Sequence, residues 1–176
     1  NIDPGIGKQN QTERTIALHE VQPIPICQHR KRERTLDLFR HVFQAGKAEG
    51  VFLLDQLDGD IDAIVVGVGS GGTLGGLQAW FARHSPKTQF ILADPAGSIL
   101  ADQVETGRYG ETGSWLVEGI GEDFIPPLAH LDGVRTAYRI SDGEAFATAR
   151  QLLQTEGVLA GSSTGTLLSA ALRYCR

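Results

Sequence analysis

An apolar stretch that runs directly into a glycine-rich loop, and then into a helical pattern, constrains the fold of this chain most. Residues 60–68 contain an uninterrupted apolar run from Ala63 to Val66, which is typical of a strand covered on both faces of a sheet. Glycines begin at Gly67, and residues 74–83 place Leu77 and Trp80 on one face of a helix. This order predicts one unit of a parallel sheet covered by helices.

The same alternation continues to the end of the chain. Residues 88–93 and 134–140 are predicted strands. Ser141, with Glu144 three residues later, predicts a capping box that opens a helix to about residue 155, and Gly157 ends that helix. Apolar residues 158–160 then lead into a second glycine-containing turn and a final helix. We therefore predict an α/β fold for residues 51–176, a mostly parallel sheet flanked by helices.

Residues 1–50 form a smaller N-terminal segment whose relation to the sheet is not readable. Residues 15–21 and 35–44 fit helices, and Pro23 and Pro25 require an extended stretch between them. The chain begins at Asn1 and contains no Met. These two features are the basis of a hypothesis that residues are missing from this incomplete part.

Composition excludes several classes of protein. The chain is 41% hydrophobic and 21% charged, as globular domains are, and its net charge of -5 gives no basic field for nucleic acid or an anionic membrane. Its apolar runs are far shorter than the roughly 20 residues of a membrane span, and no leader pattern opens it. Cys27 and Cys175 match no metal or redox spacing, and no histidine pair has ligand spacing. We expect a cytoplasmic protein with free thiols and no metal site.

Residues 67–73, with the sequence GVGSGGT, have the composition of a phosphate-binding loop. Glycines allow a tight turn that brings backbone N–H groups against a ligand, and the following helix N-terminus adds roughly half a positive charge. Ser70 and Thr73 can donate hydroxyl hydrogen bonds to the same oxygens. The structural alternative is a turn that only permits close packing of the strand and the helix.

Spacing alone leaves the kind of phosphate ligand open. Gly67, Gly69 and Gly72 also satisfy the dinucleotide-binding fingerprint. Asp94 lies 22 residues after Gly72, where a ribose-binding acid belongs, so an NAD-binding oxidoreductase domain is an alternative. A P-loop is excluded because no lysine follows the glycines where Walker A requires one.

Four motifs of the chain, taken together, carry a resemblance to a known family. They are GSGGT at residues 69–73, DPAGSIL at 94–100, VEGIGEDFIP at 117–126 and EGVLAGSS at 156–163. GSGGT is similar to the phosphate cup of the cysteine synthase and cystathionine β-synthase family, pyridoxal-phosphate enzymes of fold type II, which usually reads GTGGT. The other three motifs resemble further blocks of that family, in the same order. The forms DPAGS and VEGIGEDFIP are nearer to those of cystathionine β-synthase than to those of O-acetylserine sulfhydrylase. The resemblance covers roughly residues 57–175.

The resemblance implies pyridoxal 5'-phosphate as the cofactor of a β-replacement, in which a thiol such as homocysteine replaces the β-substituent of serine or an activated serine. O-acetylserine sulfhydrylase, which uses sulfide, and a non-catalytic homologue that binds a phosphate ligand are alternatives. The resemblance also implies a homodimer, and a regulatory domain after Arg176 is compatible with it.

The resemblance further implies which residues hold the cofactor: the phosphate in the glycine loop, the pyridine ring beside Gly119, and the pyridine nitrogen bonded to the Ser163 hydroxyl. A helix N-cap is the alternative role for Ser163, and Asp94 becomes a turn residue. For Glu118, Glu122 and Asp123, a solvated acidic loop and a substrate role both stand. The cofactor residues implied are Gly69, Ser70, Gly71, Gly72, Thr73, Gly119 and Ser163.

Two family elements do not appear in the sequence: a PGGSxKDR-like segment with the Schiff-base lysine, and a TSGNTG-like loop for the substrate carboxylate. Lys8 follows Pro4-Gly5, but no Asp-Arg pair follows it. Another alignment sets Glu13-Arg14 against the family's acid-Arg pair, with the lysine missing before Glu13. No catalytic residue is therefore assigned. The lysines of the chain are Lys8, Lys31, Lys47 and Lys87.

Overall fold

A parallel sheet, with three strands in the described part of the chain in the order β1-β2-β3, forms the centre of the fold. The computed structural model describes residues 47–57, 59 and 61–176. The strands are β1 at Ala63–Val66, β2 at Gln89–Pro95 and β3 at Thr136–Ile140. The predicted α/β fold with a parallel sheet is confirmed, and each predicted strand is present with bounds that differ by at most three residues.

Helices lie before, between and after the strands. The helical residues 47–56, here α1, cross position 50, and the division of the chain at that position stays a prediction. The helices predicted over 15–21 and 35–44, and the extended stretch between them, fall outside the described residues. The remaining helices of the described residues are α2 at Gly72–His84, α3 at Leu100–Thr106, α4 at Asp142–Glu156 and α5 at Ser162–Tyr174, with a 3-10 turn at Leu131–Gly133.

Alternate residues of the strands point to two separate hydrophobic cores. Phe90 and Leu92 of β2 belong to the core that α1, α2 and α3 cover. Ile91 and Ala93 belong to the core on the other face, where α5 contributes Leu167. Since both faces are covered, the strand sequence shows no polar alternation.

Helix α4 begins with half of the predicted capping box. The Ser141 hydroxyl accepts the Glu144 N–H at 3.3 Å, as predicted. The Glu144 carboxylate, however, pairs with Arg173 of α5. Gly157 ends the helix in the left-handed conformation, at φ +69°. The apolar segment that follows is solvent-exposed, and Leu159 is 84% exposed.

Asp94 lies within β2 and is fully buried, so its interpretation as a turn residue is wrong. Its Oδ2 atom accepts the N–H of Ala101 in α3 at 2.8 Å, and its Oδ1 atom has no partner in the described part of the chain. Burial raises the pKa of Asp94 to about 6, and the Ala101 N–H and the charge of Arg139 oppose this only partly. Asp94 is thus an anchor between the sheet and α3.

Because the pKa of Asp94 is raised on folding, the folded chain binds its proton more tightly than the unfolded chain. The free energy of unfolding should therefore fall as the pH rises from about 4 to about 6, by up to about 3 kcal/mol. Asp94→Asn should lose this component, so the variant should gain about 2–3 kcal/mol relative to wild type between pH 4 and pH 7. Urea unfolding of wild type and variant at pH 4 and at pH 7 measures this difference in the free energy of unfolding. A relative stability that does not change with pH, as expected for the exposed control Asp132→Asn, would refute the assignment.

Candidate functional site

The glycine loop lies where β1 ends and α2 begins. Gly71 occupies the N-cap of α2 in the left-handed conformation, at φ +81°, and no side chain caps the helix. The first N–H groups of a helix have no partner within the helix, so these groups and the positive end of the helix dipole are open to an anion. Ser70 and Thr73 are exposed beside them.

A second loop packs directly against this one. A Cβ atom built on Gly69 would lie 2.6 Å from the backbone oxygen of Gly119, and the N–H of Gly121 donates to the Val68 oxygen at 2.8 Å. Gly119 itself has φ +81°, a conformation that favours glycine. The glycines of the two loops therefore permit a backbone contact that side chains would block.

The N-terminus of α5 reaches the same place. Gly161 is its N-cap, so the alternative role of Ser163 as the N-cap is wrong. Ser163 lies in the first turn, half-buried, and its hydroxyl makes no hydrogen bond within the described residues. The neighbouring Ser162 hydroxyl, by contrast, accepts the N–H of Glu118 at 3.4 Å. Two helix N-termini thus converge on one region.

One cavity of about 350 Å³ unites these elements, a volume within the range of small-molecule sites. All seven cofactor residues that the sequence predicted line it. The cavity also receives Glu49 of α1, which no sequence signal had indicated, because only the docking of α1 brings it there. The predicted cofactor residues that line the cavity are Gly69, Ser70, Gly71, Gly72, Thr73, Gly119 and Ser163.

The acidic loop lies beside the cavity. Glu118 and Asp123 are exposed, and Glu122 is half-buried. Burial and then the charge of Asp123 raise the pKa of Glu122. None of the three lines the cavity, although the Glu122 carboxylate is 3.9 Å from a Cβ built on Gly69. The solvated-loop interpretation fits this placement better than direct contact with a bound ligand.

The described lysines lie elsewhere. Lys47 and Lys87 are exposed, and neither lines the cavity. Lys8 and Lys31, together with the alignment at Glu13-Arg14, fall outside the described residues. The described part of the chain therefore places no lysine at this site.

Asp94 does not behave as a ribose-binding acid. Such an acid must reach the ligand, but Asp94 is fully buried, bonds the backbone of α3 and does not line the cavity. The geometry therefore gives no support to the NAD-binding alternative.

Comparison with known proteins decides the family. Residues 42–176 match the family of pyridoxal-phosphate dependent enzymes. This chain belongs to that family. The predicted resemblance and the predicted class of cofactor are thereby confirmed, since pyridoxal phosphate is the cofactor of the family.

Individual relatives of this pyridoxal-phosphate family carry both of the names predicted. The chain is 38% identical to cystathionine beta-synthase of Saccharomyces cerevisiae over 136 residues, 77% of this chain and 27% of the relative. It is 36% identical to cysteine synthase A of Escherichia coli K12 over 129 residues, 72% of this chain and 40% of the relative. The chain thus spans about a quarter to two-fifths of the length of these relatives.

The fold agrees with a solved structure of the family. The crystal structure of an O-acetylserine dependent cystathionine beta-synthase from Helicobacter pylori superposes with a TM-score of 0.62 at 35% identity, over 69% of this chain and 38% of that chain. The predicted fold type II architecture is confirmed. No helix within the described ranges has both the length and the apolar character that a membrane crossing needs. Across those residues, no group of three His, Cys, Asp or Glu side chains could hold a metal ion.

Proposed function

We propose that this chain forms the cofactor-binding part of a pyridoxal-phosphate enzyme that replaces the β-substituent of serine, or of an activated serine, by a thiol. One observation carries the proposal: a single cavity brings together the glycine loop, Gly119 and Ser163. These residues come from three segments far apart in the sequence, and a glycine turn needed only for packing would not require the other two.

The residues present fit pyridoxal phosphate. The loop of residues 69–73 offers uncapped helix N–H groups and the hydroxyls of Ser70 and Thr73 to the phosphate. Gly119, without a side chain, leaves room for the flat pyridine ring. When bound, pyridoxal phosphate withdraws electrons from the Cα of the amino acid, which permits loss of the Cα proton and of the β-substituent.

Ser163 sets the electronic character of the site. Its free hydroxyl can donate a hydrogen bond to a pyridine nitrogen that carries no proton. The N-terminus of α5 lies at the same place and carries the positive end of the helix dipole, which disfavours a positive charge on that nitrogen. An aspartate at this place would instead stabilise such a charge. A moderate electron sink of this kind suits elimination and replacement at the β-carbon.

Ser163→Ala should weaken the binding of pyridoxal phosphate by about fivefold, which corresponds to one hydrogen bond of about 1 kcal/mol. It should also shift the visible absorption band, because the nitrogen loses its donor. Titration of the apoprotein, followed by fluorescence and absorption, measures both. Ser162→Ala is the matched control, because its hydroxyl bonds the backbone of Glu118 outside the cavity. If Ser162→Ala alone changed the spectrum, the role assigned to Ser163 would be wrong.

The absorption spectrum before and after borohydride tests the proposed function. A lysine that bonds the cofactor gives a visible band, reduction removes it, and peptide mapping of the reduced protein identifies the lysine. If the cofactor binds but borohydride does not attach it covalently to the protein, the result favours the non-catalytic homologue. Because neither Lys47 nor Lys87 lines the cavity, we expect neither of them to attach the cofactor. A nicotinamide-dependent signal without binding of pyridoxal phosphate would favour the NAD alternative.

The choice of thiol is a separate part of the proposal. The motif sequences, which are nearer to those of cystathionine β-synthase, support homocysteine as the thiol. Relatives named cystathionine beta-synthase and cysteine synthase both match the chain. Rates with homocysteine and with sulfide, measured with serine and with O-acetylserine, separate cystathionine β-synthase from O-acetylserine sulfhydrylase. Faster turnover with sulfide and O-acetylserine would support the second.

We also propose that the protein is a cytoplasmic homodimer. Exposed apolar side chains, among them Phe52 at 60% and Leu116 at 71% exposure, offer surface for a second copy. The free, exposed thiol of Cys175 suits a reducing compartment. Analytical ultracentrifugation and cell fractionation test the two statements separately.

A further inference from the structure

Glu49 is the one ionisable side chain among the described residues that line the cavity. Its Oε2 atom is buried and has no hydrogen-bond partner within the described ranges. The rest of the described lining consists of glycines, hydroxyl side chains and aliphatic side chains. The cavity therefore combines a loop suited to phosphate with an acidic group and, in this lining, no cation to offset it.

The other charged groups of α1, and those of the segments that border the cavity, do not line it. On α1, Lys47 and Asp55 are exposed, and so is Asp62, which precedes β1. The acidic loop contributes Glu118, Glu122 and Asp123. The first turns of α2 and α5 carry no acidic residue, and their opposing charge is the helix dipole alone.

A phosphate ester has a second pKa near 6 and is therefore a dianion at about pH 8. An ionised Glu49 would repel this dianion across a low-dielectric cavity, and it could only accept hydrogen bonds. A protonated Glu49 is neutral and can donate its O–H to a phosphate oxygen. Burial already raises the pKa of Glu49 before any ligand binds, which favours a proton here. The phosphate can carry the same proton and donate it to the Glu49 carboxylate, so the proton belongs to the pair.

We infer that Glu49 and a phosphate dianion that enters this cavity take up one proton between them, so that an O–H···O hydrogen bond joins the carboxyl group to the phosphate and the affinity becomes pH-dependent. The inference rests on the proposed function, because it assumes that the cavity binds a phosphate group. It assigns to Glu49 a role in ligand binding that neither the glycine loop nor Ser163 performs.

Calorimetry with inorganic phosphate on the full chain at pH 8, in buffers of different ionisation enthalpy, counts the protons taken up. Inorganic phosphate is the probe because it has no pyridine nitrogen that could contribute protons. Wild type should take up close to one proton, and its affinity should fall by up to about tenfold per pH unit between about pH 7 and 9. Glu49→Gln keeps a donor without a charge, so it should take up about none and bind about tenfold more tightly at pH 8.

Asp55→Asn removes an equal charge from an exposed position on the same helix, so it should retain the behaviour of wild type. Glu49→Asp should retain proton uptake, which keeps the test informative if Glu49→Gln folds poorly. If wild type binds phosphate and pyridoxal phosphate without proton uptake, the inference is overturned and the proposed function stands. If neither ligand binds, the proposed function fails and the inference fails with it.

Discussion

Gly71→Ala should reduce the affinity for pyridoxal phosphate by about 100-fold or more, since small displacements at a binding loop have effects of that size. A Cβ on Gly71 would lie 2.4 Å from the backbone nitrogen of Ala129 and 2.8 Å from the carbonyl carbon of Leu128. Backbone atoms cannot move aside as the end of a side chain can. The backbone at position 71 is in the left-handed conformation, which a residue with a side chain adopts only at a cost of about 1–2 kcal/mol, so the variant also carries this strain.

The loop must therefore shift, and the uncapped N–H groups of α2 would no longer point at the phosphate. Fluorescence titration with pyridoxal phosphate measures the loss, and circular dichroism checks the fold. Gly107→Ala is the matched control, because Gly107 also has a positive φ, of +68°, but a Cβ there meets nothing within 4 Å. A Gly71→Ala protein that bound the cofactor as wild type does would contradict the assignment of the loop.

Gly165→Ala should have the largest effect on stability, a loss of about 3 kcal/mol or more in the free energy of unfolding. Gly165 is buried where α5 crosses α4, and a Cβ built on it would lie 1.9 Å from the backbone oxygen of Ala145. The two helices can approach this closely only because Gly165 has no side chain. Any relief requires that α5 move away from α4.

Displacement of α5 should also move Ser163, which lies in its first turn, so cofactor affinity should fall together with stability. Urea and thermal unfolding measure the first effect, and titration measures the second. Gly143→Ala, in the first turn of α4, is the control: a Cβ there meets nothing within 4 Å, so stability should be unchanged or rise by about 0.5 kcal/mol. Equal stability of the two variants would contradict the close α4–α5 contact.

Several elements could be predicted because their signals are local. A buried strand, a glycine loop and the start of α2 follow each other within about twenty residues, and Ser141 caps α4 through a hydrogen bond to a residue three positions away. A short element that depends on a distant contact was missed, because such a contact leaves no local signal. Helix α3 has seven residues and is anchored by the buried Asp94 carboxylate, a contact that no periodicity indicates.

The side chain of Glu144 shows how tertiary contacts override a local motif. The predicted capping box would turn this carboxylate back to its own helix start. The structure instead pairs it with Arg173 of α5, because the packing of the two helices brings a guanidinium within reach. The hydroxyl half of the motif, which needs no partner from another helix, is as predicted.

The sequence by itself determined the order of strands and helices, the phosphate-type loop and, through its motifs, the family, since each of these depends on residues close together in the chain. Tertiary structure alone decided which distant residues share the cavity. Gly119 and Ser163 meet the glycine loop because parallel strands bring loops of successive units to one edge of a sheet. Glu49 joins them, and Asp94 is withdrawn from them, because burial and helix docking are properties of the packed chain that no local pattern records.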